Sequence, residues 1–110
     1  MEITVNIKSN ADAIKRAAPE QIERALEAIG LQAEGYAKML CPVDTGRLRN
    51  SITHTVDVNE LKAYIGTNVE YAAYVEMGTS RSKAQPYLQP AVYNHTDEYS
   101  EMVEHFLKNG

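Results

Sequence analysis

Asp44, Glu70 and Glu76 are the carboxylates of this chain that could converge as a metal-binding set, the equipment of a small metal-dependent nuclease or hydrolase. Each also has a simpler structural role: Asp44 caps a helix, and Glu70 and Glu76 face solvent or pair with Arg47 or Arg49. The three histidines, His54, His95 and His105, contain no pair four residues apart and no His-Glu-x-x-His run. A zinc site needs three or four ligands at suitable spacing, which these histidines and the single Cys41 do not supply. His95 falls on an apolar helix face and reads as a hydrogen-bonded core residue. Cys41 excludes an internal disulfide and reads as a small buried hydrophobe at a helix end. There is no Gly-x-Ser-x-Gly, no phosphate-binding Gly-rich loop and no dinucleotide fingerprint. The sequence therefore predicts no catalytic residue, no metal ligand and no cofactor site.

Composition narrows the class further. A chain of 110 residues with 44% hydrophobic and 24% charged residues is expected to fold as one soluble domain over 1–110. Its net charge of −4 opposes nonspecific association with nucleic acid. Arg47, Arg49, Arg81 and Lys83 are two short basic points in polar loops, too few for a DNA-binding surface. The longest uncharged apolar run falls far short of the ~20 residues of a membrane span. The first residues lack the basic and apolar regions of a signal peptide, so synthesis in the cytoplasm is expected.

The elements that must position these residues follow from periodicity. Ile3, Val5 and Ile7 alternate with Glu2, Thr4, Asn6 and Lys8, the pattern of a half-buried strand. A short helical turn over Ala13–Ala17 follows. Pro19 opens a long helix in which Ile22, Leu26, Ile29, Ala33, Tyr36, Ala37 and Leu40 recur at 3.6-residue spacing, and Pro42 ends it. Gly30 and Gly35 inside this helix predict close packing of another backbone. Asp44 or Thr45 caps a short helix through Arg47, Leu48 and Asn50. Ile52–Asp57 and Ala63–Thr67 are strands joined by a turn at Val58-Asn59-Glu60. Tyr71–Met77 is a short helix stopped by Gly78, and Thr79–Gln85 is an exposed loop expected to order on assembly. A last helix begins near Pro86 or Pro90 and runs to about Leu107. The expected fold is α+β, a small antiparallel β-sheet packed against two long α-helices.

Three polar motifs interrupt this scaffold: Pro42-Val-Asp-Thr-Gly-Arg-Leu-Arg-Asn-Ser-Ile52, Ile65-Gly-Thr-Asn-Val-Glu-Tyr-Ala-Ala-Tyr-Val-Glu-Met-Gly-Thr79 and Lys83-Ala-Gln-Pro-Tyr-Leu-Gln-Pro-Ala91. In this order and spacing they resemble the head–tail connection or minor tail component family of long-tailed phages, labelled gene product ten-like after a lambdoid phage. The resemblance covers about Ile22 to the end of the last helix. Two positions depart from it: Met77 stands where the family usually has Phe, and Gln89 where Arg is common. The structural motif residues it marks are Pro42, Asp44, Thr45, Gly46, Arg47, Leu48 and Pro86.

The resemblance implies a virion structural protein of a phage or prophage, with no enzymatic activity, at the neck or upper tail. It implies a role in head–tail joining or tail completion as a ring of identical subunits contacting other neck and tail proteins. A lumen through such a ring would pass DNA without specific recognition. The alternatives on the same scaffold are a tail terminator and a morphogenesis factor absent from the virion. Seven tyrosines against one phenylalanine and no tryptophan also suit a protein–protein surface. Tyr71 and Tyr74, three apart on one helix face, with Gly78, Thr79, Arg81 and Lys83 beside them, are the expected interface.

Overall fold

Alternation and helical periodicity produce the expected elements in the computed structural model, which describes residues 1–42 and 46–109. Strand β1 (Glu2–Asn6), β2 (Thr53–Asp57) and β3 (Lys62–Gly66) form one antiparallel sheet in the order β1-β3-β2. The helices are α1 (Ala11–Lys15), α2 (Pro19–Leu40), α3 (Arg47–Ser51), α4 (Ala72–Met77), α5 (Leu88–Tyr93) and α6 (Thr96–Asn109). This is the α+β architecture that the sequence predicts. The second long helical run is carried by α5 and α6 in succession. It breaks at Asn94-His95 because Thr96, Asp97 and Glu98 supply a fresh helix start with two acids in its first turn.

Register places Ile3 opposite Ile65 and Val5 opposite Ala63, with His54 and Val56 completing the same rows from β2. These side chains form the inner face, because alternate residues of a strand share one side of the sheet. Helix α2 crosses β2 and β3 on that face, α5 lies beside β1, and α6 runs along α2. Ala25, Leu26, Ile29, Ala33 and Ala37 of α2 are buried with Ile65, Leu88, Ala91 and Val103. Tyr36 ties the two long helices together: its hydroxyl donates to both Glu98 oxygens at 2.7 and 2.9 Å, and its ring stacks on His95 at 3.7 Å. His95 is thus half-buried against an aromatic ring rather than deep in the core.

The two helix glycines have different explanations. A Cβ on Gly30 would stand 2.8 Å from Cδ2 of His54, so the glycine makes room for a side chain of β2, not for a backbone. A Cβ on Gly35 would meet nothing within 4 Å, and no packing reason for this glycine exists among the described residues. His54 is held over Gly30 by Glu34 on Nδ1 at 2.9 Å and Glu27 on Nε2 at 3.0 Å. Glu27, Gly30 and Glu34 share one helix face by their spacing, so β2 is clamped to α2 through one imidazole.

Burial alone would lower the pKa of His54, but its hydrogen bonds to Glu34 and Glu27, with their charges, outweigh burial and raise it. Burial would raise Glu34, and the bonds from His54 and Lys38 bring it below the usual carboxylate value.

The two glycines and the clamp are each open to test. Gly35→Ala should stabilise the fold by roughly 0.5–1 kcal/mol through helix propensity. Gly30→Ala should instead destabilise it, because the methyl displaces a doubly bonded ring; urea denaturation midpoints of opposite sign check the pair. The clamp's contribution to stability is complete below the ordinary histidine value of about 6.5 and fades as pH rises through the raised folded-state value. It fades on the acid side as Glu34 protonates below its lowered value. Denaturation of wild type and His54→Gln between about pH 6 and 9 should therefore show wild type losing stability relative to the variant as pH rises; parallel curves would refute the clamp.

Candidate functional site

The three polar motifs meet at the end of the molecule where α2 stops. Cys41 leaves the helix with extended geometry before Pro42, its N–H still donating to the Ala37 carbonyl at 3.0 Å. It is buried, as its apolar environment in the sequence suggests, and burial pushes its thiol pKa up while the Arg49 charge pulls against it. Asp44 and Thr45, the expected caps, lie outside the described residues. The residue at the N-cap of α3 is Gly46 in a left-handed conformation (φ 79°), whose carbonyl accepts the Asn50 N–H at 2.9 Å. A side chain there would be strained, which accounts for glycine in the first motif. Leu48 inserts into the core from the opposite face of this short helix.

The first motif is bonded to the second at two points. Arg47 donates from Nη1 and Nη2 to the two Glu70 oxygens at 3.0 and 2.9 Å, a bidentate fork, with its guanidinium 5.5 Å from the Tyr71 ring centre. That hydrogen bond lowers the Glu70 pKa. Ser51 Oγ donates to the Leu48 carbonyl at 2.6 Å and sits against the Thr67 hydroxyl, which in turn accepts the Val69 N–H at 3.1 Å.

Glu76 bonds the second motif to the third. It is 2% exposed, so the sequence expectation that it faces solvent or pairs with Arg47 or Arg49 is corrected. Oε1 accepts the N–H groups of Tyr87 at 3.0 Å and Leu88 at 2.8 Å, and Oε2 accepts that of Gln89 at 3.1 Å. These are the N-cap, first and second positions of α5, and the third is Pro90, which has no N–H. One carboxylate thus satisfies every donor that the start of α5 leaves open, with the helix dipole favouring its charge. Beside it the Tyr87 ring is fully buried and its hydroxyl donates to the Ala72 carbonyl at 3.1 Å. The missing signal was legible in one respect: Tyr87 is no N-cap residue, so a helix starting at Leu88 needs an acceptor from elsewhere in the chain.

These bonds decide the carboxylate question for two of its three members. Both Glu70 oxygens are taken by Arg47 and both Glu76 oxygens by backbone amides, so the two do not converge on a shared cation position. Among the described residues no group of three His, Cys, Asp or Glu side chains could hold a metal, and no helix is long and apolar enough to cross a membrane.

Beside the exposed Arg47–Glu70 pair, the unit turns apolar and basic side chains outward on α4 and the segment after it. Helix α4 turns Ala72 and Glu76 inward, while Tyr74 and Met77 stand 64% and 62% exposed on its other side. Tyr71 is half-buried under Arg47, so the two tyrosines expected as a pair have different surroundings. Gly78 (φ 78°) ends the helix, and a Cβ there would lie 2.7 Å from the Ala84 nitrogen. Thr79 then closes a tight turn: its Oγ1 accepts the N–H of Arg81 and Ser82, and its own N–H donates to the Ser82 carbonyl at 2.8 Å. Gln85 N–H returns to the Val75 carbonyl at 2.9 Å. The exposed loop is therefore an arc fastened at both ends, carrying Arg81 and Lys83, before exposed Pro86 leads into buried Tyr87.

A family model described as "Bacteriophage HK97-gp10, putative tail-component" matches residues 6–78, about two thirds of the chain. No curated protein and no solved structure gives a significant match.

Removing the Glu76 carboxylate should be among the most destabilising changes available to this end of the molecule. Glu76→Ala leaves three helix-start donors, two of them buried, without an acceptor, an expected loss of roughly 2–4 kcal/mol. Glu76→Gln keeps the shape and one acceptor oxygen and should lose less. Guanidinium denaturation of the two variants checks the order, and equal midpoints for wild type and Glu76→Ala would refute the capping role.

Proposed function

Because the chain belongs to the HK97-gp10-like family of phage tail components, we propose that it is a virion structural subunit acting in head–tail joining or tail completion. It works as one member of a homo-oligomeric ring at the neck or upper tail, against other neck and tail proteins, and carries out no reaction of its own. The observation that carries this reading is the use made of the three motifs. Arg47, Glu70, Ser51, Thr67 and Glu76 are engaged in holding α3, α4 and α5 together, and Tyr74, Met77, Arg81 and Lys83 are exposed beside them. A catalytic site would leave polar groups converging on a cavity; here they converge on one another. An exposed aromatic and a methionine beside two cations on a fastened arc are the composition of a contact surface.

Rings of identical subunits need a head-to-tail contact between unlike patches that closes by rotation. The interface assigned to Tyr71, Tyr74, Gly78, Thr79, Arg81 and Lys83 is one such patch, with Tyr74 as its anchor and Tyr71 supporting it through Arg47. Synthesis takes place in the bacterial cytoplasm, and DNA passes through the ring without sequence recognition.

Tyr74→Ala should leave the fold intact, since its ring is mostly outside the core, while removing about 1–2 kcal/mol or more of contact energy per subunit. Circular dichroism and thermal denaturation of the variant should match wild type. Complementation of a phage lacking the gene should yield few infectious particles. Normal particle yield from a folded Tyr74→Ala protein would overturn the interface assignment.

A further inference from the structure

A second surface runs along α2 from Glu20 to Leu31, and nothing in the motif unit uses it. Leu31 is 60% exposed there and, with Ala28 and Phe106 of α6, floors a shallow groove between the two long helices. Glu20, Glu23 and Glu27 line its rim, with Arg24 and His54 as the basic residues among them. Glu20 and Glu23 are exposed, whereas Glu27 is committed to His54. The groove is therefore apolar below and net negative above.

The Tyr74–Lys83 surface is its complement. Between buried Glu76 and Asp97 the sequence contains no acidic residue, so the arc bearing Arg81 and Lys83 is locally positive in a chain of net charge −4. It offers two exposed apolar side chains, Tyr74 and Met77, to match Leu31 and Phe106. Within one chain the Glu20 and Glu23 rim lies far from the arc. Glu23 and Leu40 are separated by about 25 Å along the α2 axis at 1.5 Å per residue. The arc lies beyond Leu40, where Cys41 feels the charge of Glu76. The molecule extends 50 Å along its long axis and only 20 Å across.

We propose that the acidic groove between α2 and α6 receives the Tyr74–Lys83 surface of a second copy of this chain. Tyr74 and Met77 cover Leu31 and Phe106, and Arg81 and Lys83 sit over Glu20 and Glu23. This names the second half of the subunit contact and rests on the ring reading above. Unlike patches at opposite ends of an elongated subunit give the contact the head-to-tail polarity that a ring requires. Like charges set opposite one another would weaken such a contact strongly, which makes charge reversal the direct test.

The experiment is sedimentation velocity with light scattering on the full chain at low salt. Four proteins are compared: wild type, Arg81→Glu/Lys83→Glu, Glu20→Lys/Glu23→Lys, and the fourfold variant carrying both reversals. All substituted side chains are exposed, and circular dichroism verifies their folds. Wild type should associate beyond a dimer, each double variant should associate roughly tenfold or more weakly, and the fourfold variant should recover association. Leu31→Asp should weaken wild-type association without changing the fold. Association untouched by either reversal, or not recovered in the fourfold variant, overturns this contact and leaves the ring reading standing. A charge-dependent association that stops at a dimer keeps the contact and overturns the ring. A wild-type chain monomeric at all concentrations overturns both.

Discussion

A single buried carboxylate sets the arrangement of the motif-bearing end of this protein. Glu76 receives three backbone amides at the start of α5, and through them α4 is fixed against α5. Burying a charge is unfavourable unless hydrogen bonds and nearby dipoles replace the lost water. Here the donors are the open amides of a helix start, which would themselves be costly to bury alone. Each side solves the other's problem. Once α4 and α5 are joined, the fully buried Tyr87 ring finds its place between them, and its hydroxyl closes onto Ala72. The intervening segment then has to leave α4 at Gly78 and come back to α5 at Tyr87 as a short arc.

The same constraint decides which side of α4 is free. With Ala72 and Glu76 turned inward, three- and four-residue spacing leaves Tyr74 and Met77 on the outer face. Six residues bury too little on their own to hold a helix in position. The outer face can therefore be given over to an apolar tyrosine–methionine pair only because a polar bond on the inner face supplies the docking. On the first motif's side, Arg47 and Glu70 add a fork at the surface, where such pairs contribute little to stability but orient Tyr71.

How much of this was legible in the sequence depends on whether the cause is local. The strands, the span of α2 and its stop before Pro42 follow from periodicity and proline chemistry, and they are found within a residue or two of expectation. The family resemblance, carried by three ordered motifs, agrees with the match over residues 6–78. The Arg47–Glu70 pair between the first two motifs is one of the pairings the sequence suggests, but the bonds of Glu76 to the third motif were not legible, because they join residues eleven or more positions apart whose partners are backbone amides with no side-chain signature. Glu76 looked like any helix-surface acid. His54 likewise gave no sign of its clamp, since the pattern Glu27, Gly30, Glu34 acquires meaning only when β2 is laid across that face. Gly35 looks the same as Gly30 in the sequence, yet only Gly30 has a neighbour to accommodate.

Charge gives the last link between fold and assembly. A chain of net charge −4 repels its own copies at long range, which keeps free subunits apart and penalises most encounters. A contact in this setting is favoured where exposed cations meet the partner's acidic side chains. The acid-free stretch between Glu76 and Asp97 begins with the arc after Gly78, which carries Arg81 and Lys83 away from the Glu20 and Glu23 rim. The proposed end-to-end contact sets those cations over that rim. With charges that are exposed and screened within about 8 Å at physiological salt, this selects orientation more than it adds affinity. Affinity has to come from the apolar side chains beside the charges, and Tyr74 and Met77 are exposed at that place because Glu76 holds the opposite face of their helix.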